Sequence, residues 1–138
     1  MGIIQNLEII SFEPKGDEKG WLVVLENQRT IPFVSKRSYF IYDTQKGVIR
    51  GRHAHLKLKQ LLICVSGEVD IYVEYGPKKE TYHLDRRDRG LLLEGLVWHE
   101  MLNFSKDAVL LVLADDYYDE SDYVRDYDQF LRLNNGQC

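Results

Sequence analysis

Hydrophobic and polar residues alternate along much of this chain with a period of two. Val69, Ile71, Val73 and Tyr75 fall on one side, and Asp70, Tyr72 and Glu74 on the other. That is the pattern of a β-strand with one face buried. Short runs rich in Val, Ile, Leu, Tyr and Phe predict further strands at 21–26, 37–42, 60–65, 80–84, 90–93, 100–104 and 108–114. Residues 61–65 and 109–113 are unbroken apolar runs, as expected of strands covered on both faces, and too short for a stable helix. Glycine, proline and asparagine separate these runs, so the expected fold class is all-β, a sandwich or barrel.

Only the C-terminal stretch departs from this pattern. Residues 115–128 are acidic and tyrosine-rich, and 121–130 predict one short helix capped by Ser121, or a turn and a tail. No repeat, linker or low-complexity segment interrupts the chain, so residues 1–138 read as a single domain.

Composition narrows the function. With 138 residues, 44% hydrophobic and 29% charged, the chain can bury one sizeable core and is not disordered. A formal net charge of −4 excludes a nucleic-acid binder relying on bulk electrostatics. Two cysteines make no disulfide framework: Cys64 lies in an apolar run and reads as core, and Cys138 as part of a frayed end. No apolar stretch approaches the roughly 18 residues of a membrane helix, and residues 1–7 lack signal-peptide features. The expectation is a cytoplasmic protein with no membrane or nucleic-acid partner.

Four histidines are the candidate chemistry: His53, His55, His83 and His99. On a strand, His53 and His55 point to the same face. Two imidazoles side by side inside a barrel are costly to desolvate, which favours acid–base work or metal ligation over a purely structural role. His83 sits beside turn residues and reads as a surface group.

The spacing resembles the two cupin motifs. Gly47, His53, His55, Gln60 and Gly67 match the first, with Gln60 where glutamate is usual. His99 and Asn103 match the end of the second, with Glu94 and Leu96 replacing its proline and glycine. The resemblance implies a single-domain double-stranded β-helix, a jelly-roll barrel with a site in its mouth. His53, His55, Gln60 and His99 would then be a metal set lacking its one anionic member. The expectation is no metal and no cofactor, with a metal-dependent cupin enzyme as the alternative.

A narrower resemblance rests on three boxes in order. They are Arg50-Gly51-Arg52-His53-Ala54-His55, then Val97-Trp98-His99-Glu100-Met101, then Tyr117-Tyr118-Asp119-Glu120-Ser121-Asp122-Tyr123. With Asp17-Glu18-Lys19-Gly20 and Ile31-Pro32-Phe33, they are similar to the nucleotide-sugar 3,4-ketoisomerases over nearly the whole chain. Lys19 departs from the arginine common there. The resemblance implies a homodimeric isomerase of deoxysugar biosynthesis, acting on dTDP-4-keto-6-deoxyglucose on the way to 3-amino sugars of lipopolysaccharide or S-layer glycans. A dTDP-sugar 3,5-epimerase and a non-catalytic sugar-binding relative are the other readings.

For the implied reaction, His53 is the candidate base that removes the C3 hydrogen. His55 would carry a proton to C4 or donate to an oxygen of the intermediate. Arg50 and Arg37 would hold the diphosphate or the oxyanion, and Tyr39 would donate from its phenol. Gln60 would orient the histidines, Trp98 would support the sugar or pack, and His99 would lie near the mouth. The acidic third box would dock on the barrel or on a second subunit.

Overall fold

A computed structural model describes residues 4–136; Cys138 lies outside them. Ten of its strands form two five-stranded sheets. The first contains β1 (Gln5–Ser11), β9 (Arg89–Gly95), β6 (Lys59–Ser66), β11 (Val109–Ala114) and β4 (Arg37–Tyr42), in that spatial order. The second contains β12 (Tyr123–Val124), β5 (Arg50–His55), β10 (Trp98–Leu102), β7 (Val69–Tyr75) and β8 (Lys78–Leu84). Every ladder within them is antiparallel. This is the expected jelly roll, with two facing sheets that do not close into one hydrogen-bonded barrel.

The alternation in β7 puts Val69, Ile71 and Val73 into the main core between the sheets. The continuous run in β6 divides by parity: Leu62 and Cys64 enter that core, while Leu61 and Ile63 face outward. The outward pair is covered by Phe12, Ile31 and Phe33, which is why the run needs no polar face. On the outer side of the second sheet, Ala54, Leu96, Trp98 and Val124 pack with Phe130 of the C-terminal helix α1 (Tyr127–Asn135).

Three local expectations are corrected. The strand expected at 21–26 is only β3 (Gly20–Leu22), paired with β2 (Lys15–Asp17) in an exposed hairpin. Beyond it, Val23 and Leu25 pack on the first sheet, and the Thr30 hydroxyl donates to the Val24 carbonyl and accepts from the Glu26 amide, closing a loop. The helix expected from 121 begins six residues later, capped by Asp126. Tyr123 and Val124 are drawn into a ladder with β5, after a 3-10 turn (Glu120–Asp122) capped by Asp119. β1, with its polar Gln5, Asn6 and Glu8, was not among the expected strands; it is a half-buried edge strand.

Candidate active site

Strand pairing assembles the site from residues far apart in sequence. His53 on β5 lies opposite His99 on β10, and His55 opposite Tyr123 on β12. The β5–β10 register slips by one residue at this point: His99 pairs with His53 but Glu100 with Gly51, leaving Arg52 unpaired. Gly51 and Arg52 both have positive φ, and a Cβ on Gly51 would stand 3.0 Å from the His99 carbonyl oxygen. The glycine before the histidine box thus permits a β-bulge that re-aims the strand beside the site.

The rings of His53 and His99 are 4.7 Å apart, those of His53 and His55 5.0 Å, and the His55 ring is 4.4 Å from that of Tyr123. His99 is not at the mouth; it is fully buried, its Nδ1 3.0 Å from the Val97 carbonyl oxygen. A donor there leaves its Nε2 an acceptor with no partner among the described residues. Burial, then the neighbouring His99, pushes His53 down to about 3. Burial, then His99 and His53, pushes His55 down to about 2. Burial also lowers His99. All three are free bases at neutral pH.

His53 borders a cavity of about 470 Å³ lined by Arg37, Tyr39, Arg50, Tyr123 and Arg125. Arg37 and Tyr39 come from β4, whose alternation turns both inward. The Tyr39 hydroxyl accepts a hydrogen bond from the Gln60 amide at 3.2 Å, so its own proton is free to donate. Burial raises its pKa above the usual phenol value, keeping the proton in place. Arg125 was not singled out from the sequence. It is held by two hydrogen bonds to Glu120, with its guanidinium 4.2 Å from the Tyr123 ring centre.

The remaining candidates are placed differently. His55 is 2% exposed and faces a second, smaller cavity rather than the one at His53. Gln60 is committed to Tyr39, with no hydrogen bond to a histidine. Trp98 points away from the cavity, packing against Tyr127 and Phe130 and donating to Glu100; it takes the packing alternative. His83 is at the surface, its Nδ1 2.6 Å from Asp70, which holds it above the usual imidazole range. The third box docks on its own second sheet through Tyr123.

Donor nitrogens of His53, His55 and His99 lie within 4.8 Å of one another. They do not complete the four-ligand cupin set, because its fourth member is a neutral amide bonded elsewhere and the trio has no anionic donor.

The family described as FdtA: WxcM-like, C-terminal matches residues 5–135. The TDP-4-oxo-6-deoxy-alpha-D-glucose-3,4-oxoisomerase of Aneurinibacillus thermoaerophilus is 45% identical over 123 residues, 89% of this chain and 88% of that one. A His-to-Asn mutant of the 3,4-ketoisomerase QdtA from Thermoanaerobacterium thermosaccharolyticum, in complex with TDP-4-keto-6-deoxyglucose, is 39% identical. It matches with a TM-score of 0.93 over 96% of both chains. A 3,4-ketoisomerase from Helicobacter canadensis is 45% identical, with a TM-score of 0.90 over 96% of this chain and 99% of that one. On the extent of these matches, the chain belongs to the FdtA, WxcM-like, C-terminal family.

Proposed function

We propose that this chain is a TDP-sugar 3,4-ketoisomerase, residues 1–138 acting as one domain, and that it moves the ketone of TDP-4-keto-6-deoxyglucose from C4 to C3. The observation that carries this reading is a neutral imidazole, His53, facing a cavity ringed by Arg37, Arg50 and Arg125. A base for a carbon acid thus sits inside an anion-binding surface, as a nucleoside diphosphate sugar requires. Identity to named ketoisomerases supports it.

The C3 hydrogen is acidic because the adjacent C4 carbonyl accepts the electrons released. His53 takes it as a proton, and the C3–H electron pair becomes the C3=C4 bond of an enediolate. The O3 proton passes to solvent or a protein group as O3 becomes the new carbonyl oxygen, the C3=C4 pair takes a proton at C4, and O4 is protonated. Arg37, Arg50 and the Tyr39 hydroxyl stabilise the oxyanion; each well-placed donor of this kind is worth about 3–4 kcal/mol. The buried His53 is a weak base in the free protein, and the negative charge of diphosphate and enediolate lifts its basicity when needed.

NMR of TDP-4-keto-6-deoxyglucose incubated with the protein is expected to show the carbonyl carbon move from C4 to C3, with full rate retained in EDTA. A 3,5-epimerase would instead exchange the C5 hydrogen. Rate lost to EDTA and restored by added zinc would mark the metal-dependent alternative. Substrate bound but unchanged would mark a binding module. A cytoplasmic location goes with this reading, because a multiply charged nucleotide sugar does not cross a bilayer unaided. No helix of the described residues is long and apolar enough to span one.

A homodimer belongs to the same proposal. β4 is an edge strand whose outward residues include Phe40 and Tyr42, about 60% exposed, and Trp21 of the β2–β3 hairpin, which shares a cavity with Leu111 of the neighbouring β11, is 70% exposed. A free edge beside an apolar face suits a self-complementary contact with a second copy. Phe40→Asp is expected to halve the mass measured by light scattering; an unchanged dimer would move the interface elsewhere.

A further inference from the structure

Two cavities meet at Tyr123 and Arg37. The front one, about 470 Å³, is the cation-lined space at His53. The rear one, about 160 Å³, is bordered by His55, Leu58, Asp115, Asp119 and Asp122. Its carboxylates repel a diphosphate, while its volume holds several water molecules.

His55 is the group between them. Its ring stands edge-on to His53 and neither of its nitrogens has a hydrogen bond among the described residues. Its nearest charged partner is Asp122, whose Oδ2 lies 3.3 Å from His55 Nδ1, close but not aligned as a hydrogen bond. Asp122 itself cannot swing. Oδ1 accepts the Lys57 amide at 2.9 Å, Oδ2 accepts the Leu58 amide at 3.2 Å, and its carbonyl accepts the Leu56 amide at 2.9 Å. A carboxylate fixed at that side favours the tautomer with hydrogen on Nδ1, leaving Nε2 as acceptor.

We propose, resting on the ketoisomerase reading above, that Asp122 is a positioning residue that holds His55 as a proton port between the reacting centre and water in the rear cavity. A nucleotide sugar in the front cavity cuts His53 off from bulk solvent there. The proton taken from C3 then has two fates: return to C4 from the same imidazole, or exchange through the rear. With the port open, one proton leaves from His53 through His55 and Asp122 to water, and one returns by the same route. Both imidazoles end neutral and no charge is left behind.

The test uses substrate carrying deuterium at C3 in ordinary water, with isotope content at C4 of the product read by NMR. The wild-type protein is expected to lose most of the label to solvent. Asp122→Asn is expected to lower kcat about 10²-fold with KM unchanged, and to retain more label at C4; Asp122→Glu should recover part of both. Full retention of label by the wild-type protein would overturn the port without any variant. So would an Asp122→Asn protein with wild-type kcat and wild-type washout, or one that loses rate and melting temperature with washout unchanged and no recovery by glutamate. A wild-type protein that leaves the substrate unconverted would instead overturn the ketoisomerase reading itself.

Discussion

Replacing His53 by asparagine is expected to lower kcat by about 10²–10⁴-fold, the usual contribution of a positioned base. KM should change little, because the substitution leaves in place the Arg37, Arg50 and Arg125 guanidiniums that line the cavity and would attract an anionic substrate. The fold should survive. The His53 backbone keeps its ladder with His99, the bulge depends on Gly51 and Arg52, and the lost ring stands edge-on to His55 and His99 and tilted to Tyr123. Replacing a half-buried imidazole that is costly to desolvate with a smaller amide also removes one of the groups that disfavour protonation of His55. Turnover and melting temperature should be measured together, with exchange of the C3 hydrogen into D2O as the diagnostic. A variant that still exchanges C3 but does not isomerise would place His53 after proton abstraction. Near-normal turnover would move the base role to another group.

Much of the site's composition was legible because β-strand parity is a strong geometric rule. His53 and His55 share a face because they are two residues apart. The same rule, applied to neighbours, turns Trp98 outward once His99 faces in. What parity does not carry is depth. His55 lies behind His53 because β12 joins the edge of β5 and Tyr123 covers it, a contact between segments 68 residues apart in sequence. Gln60 was expected to serve the histidines, and only the β11–β6 and β11–β4 registers bring it to Tyr39 instead. Arg125 stands two residues past the tyrosine-rich box, and the five acids between Asp115 and Asp122 point away from an anion site. Its contribution depends on Glu120 pinning the guanidinium over Tyr123, which is local chemistry with no signature in composition.

Acid is expected to destabilise this protein well above the range in which its carboxylates titrate. In an unfolded chain each imidazole takes up a proton near pH 6.5. In the folded chain His53 does so near 3 and His55 near 2, and His99 is shifted the same way. Between about pH 6.5 and 3 the unfolded state therefore binds up to two more protons at His53 and His55, so stability rises with pH and falls as pH falls, and His99 acts in the same direction. Two protons correspond to about 2.7 kcal/mol per pH unit at the steepest, and to roughly 4 kcal/mol lost by pH 5. That is a large fraction of the whole stability of a domain this size, about 5–15 kcal/mol. His83 has the opposite sign, since Asp70 raises it, but it is solvent-exposed and its effect is screened. Asp70 and Glu120, both lowered by their partners, add to acid lability only once carboxylates begin to protonate. Urea midpoints between pH 7 and pH 5 should thus fall steeply, and His55→Gln, which removes one buried imidazole, should flatten the slope by about 1.4 kcal/mol per pH unit. A midpoint that stays level over that range would mean the three rings are solvated, and with them the neutral base on which the isomerase chemistry depends.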